Sequence, residues 1–169
     1  MIKEGDLLQI EKNSEFIVED YFREELYSFI RNIASLPIKI EGILLFGSLA
    51  RGIAEYSEHH LSDIDLIIIS EELPEDLWQR NELLYELTKN YRTIVQTLWW
   101  TPEEIKNRVK NKDFLILDAL DEGKILFDPK GLLENLREEL RDDLKKKGVI
   151  KTDLYWRWPL KKFGDRIEF

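Results

Sequence analysis

Two short segments of this 169-residue chain carry side chains whose types and spacing suit phosphate chemistry. They are Gly47-Ser48-Leu49-Ala50-Arg51-Gly52 and, after nine intervening residues, Ser62-Asp63-Ile64-Asp65-Leu66. The first follows the apolar run Ile43-Leu44-Leu45-Phe46, so it reads as a strand turning into a helix. Such a turn aims free backbone N–H groups at an anion, and glycine lets that anion approach the chain closely. Gly47 and Ser48 are therefore a candidate phosphate seat. In the second segment Asp63 and Asp65 stand two residues apart on a strand, so both side chains leave one face of a sheet. Two neighbouring carboxylates repel unless a cation lies between them, and hard oxygen ligands select Mg²⁺ or Mn²⁺. A phosphate seat beside a divalent-cation pair is the minimum apparatus for phosphoryl or nucleotidyl transfer. Each segment alone has a plainer reading, an ordinary turn or a solvated strand edge. Their joint occurrence, each attached to an apolar strand, favours the chemical one.

These segments need elements to hold them. Phe22, Leu26, Phe29, Ile30 and Ile33 fall at helical spacing within residues 15–34, and Leu36-Pro37 ends that pattern. Residues 38–46 read as a buried strand, 48–54 as a short helix and 61–70 as a second strand. Pro74, Leu77, Leu84 and Leu87 mark a helix running to Asn90, and 92–100 a third strand. Thr101-Pro102-Glu103-Glu104 has the form of an N-terminal capping box. A further helical stretch, 114–120, stops at Gly123, and 124–127 is a short strand. Leu133, Leu136, Leu140 and Leu144 space out a last helix that ends at Gly148. The expected organisation is an N-terminal helical extension over 1–35, a central domain over 36–128, and a C-terminal helix with a tail over 129–169, all in one compact unit.

Composition bounds the function. At 43% hydrophobic and 35% charged residues the chain suits a soluble globular domain, and no apolar run approaches the ~18 residues of a membrane span. Lacking cysteine, it has neither disulfides nor thiolate metal sites. Absence of an apolar signal core points to the cytoplasm, and the scarcity of Gly and Pro leans toward a thermophile. The net charge of −9 opposes broad capture of a nucleic-acid backbone. Residues 145–169 differ, with eight basic side chains against three acids, or +5, which leaves −14 for the rest. Tyr155, Trp156, Trp158 and Phe163 lie in this basic tail, and either stack on bases or, the preferred reading, cover the protein's own apolar face or a twin subunit's.

Gly47-Ser48-x-Ala50-Arg51-Gly52…Ser62-Asp63-Ile64-Asp65-Leu66 resembles the signature of the DNA polymerase beta-like nucleotidyltransferases, most closely the minimal prokaryotic type. The likeness is strong over 38–70 and continues more weakly to Asp128. It implies an α/β (α+β) nucleotidyltransferase fold, a small mixed sheet flanked by helices. It also implies a Mg²⁺-bound nucleoside triphosphate and transfer of a nucleoside monophosphate, AMP being the expected one, to a hydroxyl acceptor. By the same resemblance Gly47 and Ser48 hold the β- and γ-phosphates, Asp63 and Asp65 bind the metal and carry catalysis, and Arg51 either braces the turn or meets phosphate. Minimal nucleotidyltransferases often pair with HEPN-type toxins, so a HEPN-type protein or a second copy is the expected protein partner. Nucleic acid is expected only through the tail.

One position departs from the family's pattern. The family carries a third carboxylate on the next strand, and counting back from Thr101 the matching residue is Gln96. An amide accepts a hydrogen bond but is no base near neutral pH. Of the acids near in sequence, Glu104 is explained by capping and Glu71 and Glu72 by a solvated loop, as are His59 and His60. The alternative function is accordingly a weakly catalytic, nucleotide-binding regulatory protein such as the antitoxin partner of a HEPN-type toxin.

Overall fold

The computed structural model describes residues 2–89, 94–153 and 155–159. Four strands, β1 (Gly42–Phe46), β2 (Ile64–Ile69), β3 (Val95–Trp100) and β4 (Lys124–Phe127), form a mixed sheet in the order β3-β2-β1-β4. β1 is antiparallel to both β2 and β4, whereas β2 and β3 run parallel. The parallel pair requires a crossover, which α4 (Leu77–Thr88) supplies.

Helices cover both faces, which is why β1 and β2 are apolar almost without alternation. On one face α1 (Glu4–Asn13) and α2 (Asp20–Ala34) pack Ile10, Phe22, Leu26 and Ile30 against Ile43, Leu45, Leu66 and Ile68. On the other, α5 (Pro102–Lys110), α6 (Phe114–Glu122) and α7 (Leu132–Lys146) cover Leu44, Ile67, Ile69 and Trp100. Phe46 of β1, Asp65 of β2 and Gln96 of β3 stand level at one end of the sheet.

Local rules set most boundaries. Thr101 accepts from the Glu104 N–H at 3.1 Å while Glu104 accepts from the Thr101 N–H at 2.7 Å, the reciprocal cap that starts α5. The expected helix over 15–34 begins later, at Asp20, and a separate α1 precedes it. The break comes where the Ser14 hydroxyl bonds back to the Ile10 carbonyl at 2.6 Å and closes α1. Residues 38–41 do not join β1. Glu41 there turns inward and is buried between Lys39 and Lys130, at 2.7 and 2.6 Å. The helix α3 is one turn, Gly47–Ala50, rather than 48–54, because Gly52 takes a left-handed φ of 72° after the Arg51 cap. The expected ends of the α4 helix at Asn90 and of the third strand at residue 92 lie outside the described residues.

The tail folds back on the body. A two-stranded hairpin, β5 (Ile150–Lys151) and β6 (Trp156–Arg157), turns through Thr152 and Tyr155, whose backbones exchange hydrogen bonds with the Thr152 hydroxyl and the Tyr155 carbonyl. Lys151 reaches Asp121 and Glu122 of α6 at 2.9 and 2.7 Å, and the Trp156 indole N–H donates to Asp118 at 2.9 Å. Trp158 packs on the second core layer and meets Phe114 edge to face. Lys161, Lys162, Phe163 and Arg166 lie outside the described residues.

Candidate active site

The site forms where β1 ends and β2 and β3 begin. Phe46 pairs with Asp65 across the antiparallel ladder, and Asp65 lies level with Gln96 across the parallel one. In register, paired residues share a face, so Asp63, Asp65 and Gln96 all emerge on the side of the sheet that α5–α7 cover. The Gln96 amide nitrogen donates to Asp63 Oδ2 at 2.6 Å, which fixes the facing directly. Ser62 holds the preceding loop by two hydrogen bonds with Glu55, each 2.9 Å, and so sets where Asp63 enters the sheet.

Gly47 begins α3 with φ 73°, a conformation most L residues avoid. A Cβ at this position would lie 2.2 Å from Asp65 Oδ2, so only glycine lets the Asp65 carboxylate sit against the turn. The N–H groups of this first turn have no intrahelical acceptor. The turn at Gly47 and the Asp65 carboxylate thus lie against each other.

Electrostatics sharpen the picture. Burial pushes the half-buried Asp65 carboxyl above the usual carboxylate range; the Asp63 charge adds to this, and Arg51 partly offsets it. A carboxyl destabilised by burial and a like neighbour gains most from a cation. Among the described residues no cluster of three or more His, Cys, Asp or Glu has metal-binding geometry. Two carboxylates suffice for Mg²⁺ when substrate phosphates complete its shell, so the donor set fits a metal that arrives with a nucleotide.

The remaining candidates separate cleanly. Arg51 caps α3 and points its guanidinium toward Glu122 at 3.6 Å, while its charge still reaches Asp65. Glu104 is occupied by its cap and by Arg80 at 2.8 Å. Glu71 and Glu72 follow the far end of β2, some 20 Å of strand from Asp63, where Glu72 accepts from the Lys39 N–H at 2.7 Å and Glu71 is 3.9 Å from Lys130. None of these acids completes the site. His59 and His60 are exposed in the loop between Tyr56 and Leu61. The structure also brings Glu122 and the β5–β6 hairpin beside Arg51, a proximity with no local signal in the sequence.

Residues 29–131 match the family described as polymerase beta, nucleotidyltransferase. The chain belongs to that family. A relative named "Putative protein adenylyltransferase MJ1305" from Methanocaldococcus jannaschii is 29% identical over 123 residues, 70% of this chain and 79% of that protein. Among solved structures, a tri-AMPylated Shewanella oneidensis HEPN toxin in complex with MNT antitoxin matches at 16% identity and TM-score 0.41, covering 73% of this chain and 87% of that one. A toxin–antitoxin with AMP-PNP matches at 15% identity and TM-score 0.40, covering 70% and 85%.

Proposed function

We propose that this protein transfers a nucleoside monophosphate, AMP, from a Mg²⁺-bound nucleoside triphosphate to a hydroxyl acceptor. The observation that carries the proposal is the contact of Gly47 with Asp65, which joins the phosphate-binding turn to the carboxylate pair. In this reading the Gly47 and Ser48 N–H groups take the β- and γ-phosphates, Asp63 and Asp65 hold the metal, and Arg51 adds positive charge at the edge of the turn. A divalent cation there would neutralise charge on the phosphate being transferred. The name of the Methanocaldococcus relative supports AMP as the nucleotide and a protein as the acceptor class. The central domain over 36–128 would carry this chemistry, with the N-terminal helices and the C-terminal helix and hairpin as additions around it.

Gln96 supports a second reading. Its amide faces Asp63 where relatives in the resemblance carry an acid, so the acceptor hydroxyl meets no side-chain base from β3. A protein that binds Mg²⁺ and nucleotide but turns over slowly, a regulatory partner of a HEPN-type toxin, would follow.

Calorimetry tests the shared premise. Mg²⁺ or Mn²⁺ should strengthen triphosphate binding to the wild type, and the double variant Asp63→Asn, Asp65→Asn should lose that enhancement. Equal affinity with and without metal in both proteins would remove the metal-site assignment. Incubation with α-labelled ATP and cell lysate then separates transfer from binding alone.

A further inference from the structure

A cleft of about 330 Å³ opens between α3, α6 and the β5–β6 hairpin. Its walls are the rings of Phe114, Tyr155 and Trp156, and Arg51, Asp118 and Glu122 supply its polar edge. Arg51, which lines the cleft, is the C-cap of α3, one helical turn from Gly47, and its charge also reaches Asp65.

We infer that the cleft receives the nucleobase of the triphosphate and that the hairpin sets its specificity, an inference that rests on the phosphate-seat reading above. Three features point to a neutral planar ring. First, Phe114 and Tyr155 are 66% and 58% exposed, and large aromatic faces left open side by side in a small protein mark a binding surface. Second, the charges around the cleft are already paired: Lys151 lies 2.7 Å from Glu122 and 3.5 Å from Asp118, and Arg51 is 3.6 Å from Glu122. With Asp153 the lining holds three acids against two bases, and both bases are already paired, so the cleft disfavours an anion and leaves a neutral ring or a cation as its guest. Third, the indole of Trp156 is locked by its hydrogen bond to Asp118 at 2.9 Å and by Lys151 over its ring at 5.1 Å, which pre-orders a stacking face at little entropic cost. Each carboxylate oxygen keeps lone pairs beyond these contacts. The carboxylates of Asp118 and Glu122 can therefore accept further hydrogen bonds, which suits a base bearing an exocyclic amine, as adenine does, over uracil.

The test compares ligands that share phosphates but not a base. With Mg²⁺ present, ATP should bind the full chain roughly 5- to 100-fold more tightly than inorganic tripolyphosphate, the range expected from stacking one base. Phe114→Ala and Tyr155→Ala should each erase most of that advantage while leaving the affinity for tripolyphosphate unchanged; Tyr155→Ala should also leave the melting temperature unchanged, whereas Phe114→Ala loses its edge-to-face contact with Trp158 and should melt slightly lower. Adenosine without phosphate should shift the Trp156 indole NMR signal, and uridine should do so less. Equal loss for both phosphate ligands, or no loss for ATP, would overturn the inference, as would an indole signal that moves with a basic hydroxyl-bearing peptide and not with adenosine. If adenosine shifts the indole but tripolyphosphate fails to bind, the phosphate-seat reading falls and the base cleft stands.

Discussion

At the scale of single residues, the proposed transfer turns on Gln96. The amide stands level with Asp65 and donates to Asp63, so it relieves repulsion between the two carboxylates when no cation does. It cannot take a proton from an attacking hydroxyl, and a missing general base typically costs about 10²–10⁴ in rate. Gln96→Asp should therefore tighten Mn²⁺ binding and raise transfer within that range. Without metal the same variant should melt at a lower temperature, since three carboxylates would then crowd one strand end. Wild-type turnover that is already robust and unmoved by Gln96→Asp would show that the acceptor or another group supplies the base.

At the scale of an element, the turn from β1 into α3 depends on two glycines that differ in one respect. Gly47 and Gly52 both adopt positive φ, 73° and 72°, but only Gly47 abuts another residue, Asp65, while space around Gly52 is open. Alanine at either position stores backbone strain of about 1–2 kcal/mol. Gly52→Ala should cost that strain alone and retain metal-dependent nucleotide binding. Gly47→Ala adds a methyl group 2.2 Å from Asp65 Oδ2, displaces the carboxylate and should abolish metal-dependent binding. Calorimetry and melting curves on the pair check this, and equal nucleotide affinity in the two variants would detach Asp65 from the turn.

Across the whole molecule, buried charge ties distant parts of the chain together. Glu41 sits just before β1 and binds Lys39 and Lys130, joining the segment after α2 to the loop before α7. Burial raises its carboxyl, but the hydrogen bonds from Lys130 and Lys39 outweigh that and hold it below the usual range. A carboxyl lowered in the folded state contributes stability above its unfolded value, about 4.3, and loses it as pH falls through the folded value. Glu41→Gln should thus lower the melting temperature at pH 7 by roughly 2–8 °C, the equivalent of about 1–2 kcal/mol. That gap should close below about pH 4. A gap that is the same at pH 3 and pH 7 would show that shape, not charge, accounts for it.

What the sequence determined by itself was local or strictly periodic. Apolar runs with their glycine and capping residues specify β1, β2, α5 and α7, because strand burial and helix caps act over a few residues. The period of two places Asp63 and Asp65 on one face, and counting back from Thr101 aligns Gln96 with them, because a strand pairs in fixed register. Only the tertiary structure decided what depends on long-range contact. The break between α1 and α2 depends on a Ser14 bond and on packing that helical periodicity alone does not reveal. Glu104 serves its cap and also Arg80, 24 residues earlier, a partnership no spacing encodes. Above all, Lys151 and Trp156 carry basic and aromatic character equally suited to nucleic acid or to self-packing. Their ties to Asp118, Asp121 and Glu122 set them against α6, because pairing those acids and covering an apolar face stabilise the fold only once α6 stands on the sheet.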